Sequence, residues 1–294
     1  MGVLLGLLTA AAWGGSDFLA RFATQRLGTL RTMLYMQLTG FILLTIALPW
    51  LGGWGHLLDG SGWHPWAWGV LAGTLNACST LTLYRSFEIG KLAVVAPLSA
   101  SYPALTLLFS WLTGEHLTAV RVAGIVCTLL GAMVVAGAEN KPQTKPGEVM
   151  SHEDARSGKG LGWALCSVLG FGVLFWFLGK QIVPRLGAAP TVWMIRLTST
   201  IIACAILLIA RKPMKLLPGR ERPAVWGMGL LDTSAFVMSN RGMQLEQIAV
   251  ISVLGSLYGA VTFLLAAIFL REKISRWQIL GIVAIFAGIV LIGR

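Results

Sequence analysis

Two carboxylates, Asp17 and Asp232, stand inside long apolar runs of this 294-residue chain. An ionised side chain in such a run costs a few kcal/mol unless it is paired, neutralised or turned to water. Asp232 lies about nine residues into its run, roughly 13 Å deep at 1.5 Å per helical residue. At that depth it can hold a cationic group or a coupling proton; the structural alternative is an acid hydrogen-bonded to a neighbouring helix. Asp17 sits nearer a run's end and four residues before Arg21, the spacing of an intrahelical ion pair, and reads as structural. Trp13, Tyr102 and Tyr258 fall about ten residues into their runs, level with Asn76 and Asp232. Aromatic faces stack rings and attract cations, and tyrosine hydroxyls add polar contacts, although the same side chains also serve ordinary core packing. The candidate substrate-binding set is therefore Trp13, Asn76, Tyr102, Asp232 and Tyr258, with Asp232 also the candidate for proton coupling. Arg196, inside its own run, suits a carboxylate or phosphate if it turns inward and a headgroup if it turns outward. Pro97 and Pro103 release backbone carbonyls from helical bonding, and Gly255 with Gly259 makes a small-xxx-small step. These four are candidates for a hinge or gate, or for close helix packing alone.

The remaining chemistry-bearing residues are dispersed. Cys78, Cys127, Cys166 and Cys204 each lie in an apolar run without CxxC spacing, and His56, His64, His116 and His152 lie in connecting segments. Neither set has the spacing of a disulfide framework or a metal site. The chain carries no HExxH, GxSxG, Walker or dinucleotide-binding pattern. The expectation is no enzyme, no catalytic residues, no metal and no cofactor.

The elements that position these residues follow from composition. The chain is 56% hydrophobic and 12% charged, with a mean hydropathy of +0.75. Those figures describe a polytopic protein dissolved in lipid and exclude a large soluble module. Apolar runs near residues 3–23, 30–50, 67–87, 93–112, 118–138, 161–179, 190–210, 224–243, 249–270 and 275–293 give ten expected transmembrane helices. The surplus of 23 Lys and Arg over 12 Asp and Glu would suggest nucleic acid in a soluble protein. In a membrane protein it is first a topology signal, and no nucleic-acid partner is expected.

A repeat organises the runs. Ala93, Val94 and Val95 match Ala249, Val250 and Ile251, while Tyr102 matches Tyr258 and Arg85 matches Arg241, all at an offset of 156. After one inserted residue, Glu115 matches Glu272, Gly124 matches Gly281 and Gly131 matches Gly288 at 157. The first and sixth spans agree more weakly, through pairs such as Gly14 with Gly170. Residues 1–138 and 161–294 thus form two five-helix repeats joined by a polar, proline-bearing linker at 139–160. An odd number of spans per copy turns the second copy upside down, an arrangement suited to alternating access. Asp232 corresponds to Asn76, so a charge site there is asymmetric. Glu115 and Glu272 precede Thr118 and Ser275, the expected N-caps of spans five and ten.

Loops after the odd-numbered spans carry most of the Lys and Arg, while residues 50–66 carry none but hold Trp50, Trp54, Trp63 and Trp66. The basic side is the cytoplasmic one, which places both termini outside.

The sequence resembles the ten-helix EamA-type members of the drug/metabolite transporter superfamily. The resemblance rests on Trp13-Gly14, Ala96-Pro97 with Tyr102-Pro103 and then Glu115, residues 254–258, and Arg271-Glu272-Lys273-Ile274-Ser275. It covers nearly the whole chain. It implies an all-α bundle of two inverted five-helix halves, with a central cavity lined by spans one to four and six to nine, and spans five and ten at the periphery. It also implies translocation of a small-molecule substrate without ATP hydrolysis, with export as the direction, from a bacterial inner membrane. Two departures stand out: no basic residue in the loop between spans two and three, and Gly259 after Tyr258 where Pro103 follows Tyr102, which argues against a proline kink in span nine. The residues themselves favour a cationic or zwitterionic, ring-bearing solute such as an amino acid or amine, moved by proton coupling or exchange. An intramembrane enzyme on lipid-linked substrates and a passive channel are the competing classes. Besides substrate and lipid bilayer no partner is implied, and monomer and homodimer both stay open.

Overall fold

A computed structural model of the chain describes residues 1–114, 118–137, 160–211, 213, 217–245, 248–271 and 274–292. Every regular element among them is helical, as hydrocarbon demands of a backbone that cannot bond to water. The first half runs α1 (Gly2–Leu27), α2 (Thr29–Ala47), α3 (His64–Ile89), α4 (Leu92–Ser99), α5 (Tyr102–Leu112) and α6 (Ala119–Gly137). The second runs α7 (Leu161–Phe177), a π-turn and α8 (Val183–Leu186), then α9 (Ala188–Ile209), α10 (Arg222–Leu245), α11 (Ile248–Ser256), α12 (Tyr258–Leu265) with a π-turn, and α13 (Arg276–Ile292).

Six stretches among the described residues are long and apolar enough to cross a bilayer: Gly2–Leu27, Thr29–Ala47, Leu92–Leu112, Leu161–Leu186, Ala188–Ile209 and Val250–Leu270. α3 and α10 have spanning length, 26 and 24 residues, but carry the polar groups, Asn76 and Asp232 among them, that face the interior. Ser275 caps α13 as expected: its Oγ accepts from Gln278 N–H at 3.2 Å, and Gln278 Oε1 accepts from Ser275 N–H at 2.9 Å. Thr118 Oγ1 accepts from Arg121 N–H at 3.4 Å at the start of α6. Glu115, Glu272 and linker residues 139–159 lie outside the described residues.

Both half-helix pairs break in the same way. Between α4 and α5, Ser101 N–H bonds to Leu98 O and Ala104 N–H to Ser101 O, both at 3.1 Å; between α11 and α12, Leu257 N–H bonds to Leu254 O at 3.2 Å and Ala260 N–H to Leu257 O at 2.9 Å. Span nine is therefore interrupted without a proline: Gly259 stands where Pro103 does in span four, and the break forms in both. The tightened i→i−3 turn makes the break, and Pro103 only occupies its first helical turn.

Packing runs between the halves more than within them. α1 lies on α10 and α3 on α7; α2 lies on α9; α1 touches α12 as α5 touches α7. α6 and α13 pair antiparallel away from the rest: a Cβ on Gly131 would stand 2.7 Å from Gly281 O, and one on Gly288 would stand 2.6 Å from Gly124 O. Glycine at these crossings lets backbones touch, which is how helices without a hydrophobic driving force gain contact.

Candidate functional site

The interrupted helices, together with α1, α2, α3, α7 and α10, surround a narrow cavity of about 30 Å³ inside the bundle. Its lining is Trp13, Asp17, Met36, Thr80, Leu83, Tyr84, Tyr102, Phe171, Phe175, Asp232, Phe236 and Tyr258. Seven of these are aromatic; six form one connected set, and Tyr84 stacks on Phe87 outside it. Trp13 meets Phe175, Phe236 and Tyr258 edge to face at centroid distances of 5.6, 5.2 and 6.0 Å; Phe175 stacks on Tyr102 at 4.7 Å and on Phe236 at 5.9 Å. Edge-to-face contact fixes each ring against its neighbour, so the walls are pre-formed.

Of the sequence-derived candidates, Trp13, Tyr102, Asp232 and Tyr258 meet here. Asn76 does not line the cavity: fully buried between α3 and α9, its Nδ2 donates to Ser199 Oγ at 3.2 Å. Tyr102 Oη donates to Ser252 O of α11 at 3.5 Å, while the Tyr258 hydroxyl meets Ser99 of α4. Each tyrosine thus ties the start of one half-helix to the first half-helix of the other interrupted pair. Gly259 closes the same junction, since a Cβ there would lie 2.5 Å from Ala100 Cβ and 3.2 Å from Ala96 O. Gly255 lies beneath the Trp13 ring, its Cβ position 3.3 Å from Trp13 Cζ3. Pro97 is inside α4 with its Cα against Gly259.

The two acids differ in what stands behind them. Asp232 Oδ2 accepts from Arg196 Nη2 at 2.5 Å, and Arg196, wholly buried, also donates Nη1 to Gln37 Oε1 at 2.7 Å and faces the Phe236 ring at 5.1 Å. Arg196 fits because α2 carries Gly40: a Cβ there would stand 3.1 Å from Arg196 Cδ and Nε and 2.2 Å from Thr233 Oγ1. Asp232 is hence a paired acid, and Arg196 is neutralised by it rather than offered to an anion. Asp17, 6% exposed, faces the cavity and has no ion pair among the described residues. The expected Asp17–Arg21 pair does not form. Arg21 turns instead to the end of α3, donating Nη1 to Phe87 O and, at 2.7 Å, to Gly90 O, because bare carbonyls at a helix C-terminus attract a cation.

Matched hydrogen bonds align the two halves around the cavity. Thr106 Oγ1 donates to Gly172 O at 3.1 Å and Thr262 Oγ1 to Gly14 O at 3.3 Å. These pair Gly14 with Gly172 rather than with Gly170, a shift of two residues. Phe171 then corresponds to Trp13 and Phe175 to Asp17, while Tyr102 corresponds to Tyr258 and Thr80 to Phe236. All eight line the cavity.

Sequence reasoning missed Asp17 as a cavity acid and missed Phe171, Phe175, Phe236 and Tyr84. The two-residue shift was the available signal, since it sets Asp17 level with Phe175 and both opposite the tyrosines. No group of His, Cys, Asp or Glu among the described residues could hold a metal ion.

Interrupted helices from both halves of the chain thus meet around one aromatic cavity. Residues 1–137 and 158–294 match the EamA-like transporter family. The chain belongs to that family, within the drug/metabolite transporter superfamily, and is an integral, multi-pass membrane transporter of small solutes. An uncharacterized protein of Methanocaldococcus jannaschii is 28% identical over 135 residues, 46% of this chain and 95% of the relative. A solved crystal structure of a protein is similar over 99% of this chain and 95% of its own length, with a TM-score of 0.68 at 19% identity, a likeness of fold.

Proposed function

We propose that the protein is a secondary transporter that carries an organic cation bearing a ring or an apolar body by alternating access, with Asp17 as the counter-charge in the central cavity. The observation that carries this reading is a buried carboxylate without a cation, set among seven aromatic side chains. An ionised carboxylate in such surroundings is strongly unfavourable unless neutralised, and either a proton or the substrate's own cation neutralises it. The two therefore compete for one group, which couples proton movement to substrate movement without a further site. Asp232, the acid that sequence analysis favoured, contributes through its pair with Arg196; together they present a neutral polar wall. Aromatic faces add attraction for the cation and stacking for the ring. Export is the direction carried by the family resemblance.

Ten spans in two inverted five-helix copies supply the moving parts. Three observations support that architecture. Contacts exchange between halves, α1 on α10 with α3 on α7 and α1 on α12 with α5 on α7. Cys127 Sγ donates to Ala284 O at 3.4 Å, its own counterpart at the offset of 157. The Methanocaldococcus jannaschii relative is about half the length of this chain, which is the length of one copy.

The test is apparent thermal stability of the purified protein against amines, quaternary ammonium compounds, amino acids, sugars and nucleotides, since a ligand that binds the folded state raises it. We expect a saturable rise with an aromatic amine that is lost in Asp17→Asn and weakened in Asp232→Asn. A rise retained in full by Asp17→Asn would overturn the assignment. Saturable counterflow of the same amine in proteoliposomes then separates a carrier from a channel.

A further inference from the structure

A second concavity of about 660 Å³ opens on the flank of the bundle, between the α1–α2 connection, α3, α7 and α9. It shares no side chain with the central cavity, so a role for it does not depend on the transport reading. Its lining is layered. At the outer end stand Arg31, Arg85, Glu88 and Thr29 around Gly28; one helical turn deeper along α3 stands Leu81, with Leu207 of α9 beside it and Trp163 of α7 at the rim.

The charge at the outer end is arranged, not scattered. Glu88 is occupied: its Oε2 accepts from Thr29 N–H at 3.2 Å, from Thr29 Oγ1 at 2.5 Å and from Arg85 Nη1 at 3.0 Å. That leaves Arg85 with further N–H donors and Arg31 with a whole guanidinium and no ion pair among the described residues. Arg31 is moreover in the first turn of α2, whose N-terminal N–H groups carry partial positive charge. A site with two guanidinium groups above a leucine floor, edged by an indole 45% exposed on a membrane flank, is complementary to an anionic headgroup over an acyl chain. The same end carries the arginine-rich connections that mark the cytoplasmic leaflet, where anionic lipids concentrate.

We propose that this groove is a binding site for one anionic glycerophospholipid, its phosphodiester held by Arg31 and Arg85 and an acyl chain lying on Leu81 and along Trp163. The apolar depth distinguishes a lipid from free phosphate, since phosphate has no use for the leucine floor. Bound there, the lipid joins α2, α3 and α7, elements of both halves, and stabilises the packing between them.

Native mass spectrometry and thermal stability of the purified full-length chain test this, with phosphatidylglycerol, phosphatidylcholine, glycerol 3-phosphate and inorganic phosphate as probes. Phosphatidylglycerol is expected to be retained in preference to phosphatidylcholine and to raise the unfolding temperature. Arg31→Gln, which breaks no ion pair among the described residues, is expected to weaken that retention about tenfold, the loss of one charge-assisted contact; Arg31→Lys should recover part of it. Phosphatidylglycerol with brominated chains should quench tryptophan fluorescence less in Trp163→Phe than in Trp111→Phe. Equal retention of the two lipids, or unchanged retention in Arg31→Gln, overturns the proposal. Stabilisation by inorganic phosphate or glycerol 3-phosphate alone, equal to that by the lipid, makes the groove an anion site and overturns it as well.

Discussion

Asp17 and Asp232 face one cavity, and they differ in what stands behind them: Arg196 behind Asp232, and no cation among the described residues behind Asp17. Arg196 holds Asp232 from a wholly buried position, so truncating the arginine strands a carboxylate in the core. Arg196→Gln is expected to lower stability by about 3–5 kcal/mol, and the double variant Arg196→Gln/Asp232→Asn to regain most of it, because removing both charges removes the unpaired one. Asp17→Asn should instead leave thermal unfolding unchanged or raise it, since it replaces a buried acid that has no cation. Unfolding of detergent-purified variants measures all three, and equal losses in Asp17→Asn and Arg196→Gln would remove the distinction. Sequence made both acids conspicuous but reversed their pairing, taking Asp17 as paired and Asp232 as without a cation. Asp17 has an arginine four residues on, and helical spacing alone pairs them; the carbonyls of Phe87 and Gly90, 66 and 69 residues away, outcompete it in three dimensions. Asp232 looked alone because Arg196 belongs to another span, and Gly40, which clears the space for that arginine, to a third.

At the level of elements, the two interrupted helices meet where Gly259 lies on Ala100 and the Pro97 backbone. Gly259→Ala pushes a methyl group to 2.5 Å from Ala100 Cβ and is expected to destabilise by about 1–3 kcal/mol, the ordinary range for overpacking. Ala100→Gly in the same chain should restore most of that loss, a coupling that a double-mutant cycle of unfolding temperatures reads directly. Pro103→Ala is expected to cost less than Gly259→Ala, because α12 begins after the same turn without a proline. A larger loss from Pro103→Ala would mean that the ring, not the turn, sets the break. Repetition in spans three to five and eight to ten was legible because tyrosines, arginines and glycines recur at a constant offset. The first and sixth spans were mispaired by two residues, since in a chain with 35 glycines one glycine matched to another carries little information. What fixes their register is a hydroxyl reaching a carbonyl across the bundle, and no sequence pattern records it.

For the molecule as a whole, exchanged contacts are not equal contacts. α12 packs more extensively on α4 than α5 does on α11, although the two pairs correspond. α4 and α12 are the half-helices nearest the arginine-rich connections; α5 and α11 are nearest the opposite side. At the arginine-rich end Arg21 also clasps the end of α3, and Arg26 pairs with Glu221 at 2.9 Å across the halves. The bundle is thus drawn tighter at that end. If the halves exchange conformations, as an inverted repeat permits, the inequality must reverse: α5 closes on α11 while α12 withdraws from α4. Paired cysteines in a background lacking the four native ones test this. Ala100→Cys/Gly259→Cys reports the junction closed here, and Pro103→Cys/Ser256→Cys reports its counterpart. Crosslinking yields of the two pairs are expected to move in opposite directions when an inward-to-outward gradient of proton or substrate is imposed. Yields that rise and fall together would mean that both junctions open at once, the behaviour of a channel. Such a result would remove alternating access while leaving the aromatic cavity and its unpaired acid in place as a binding site.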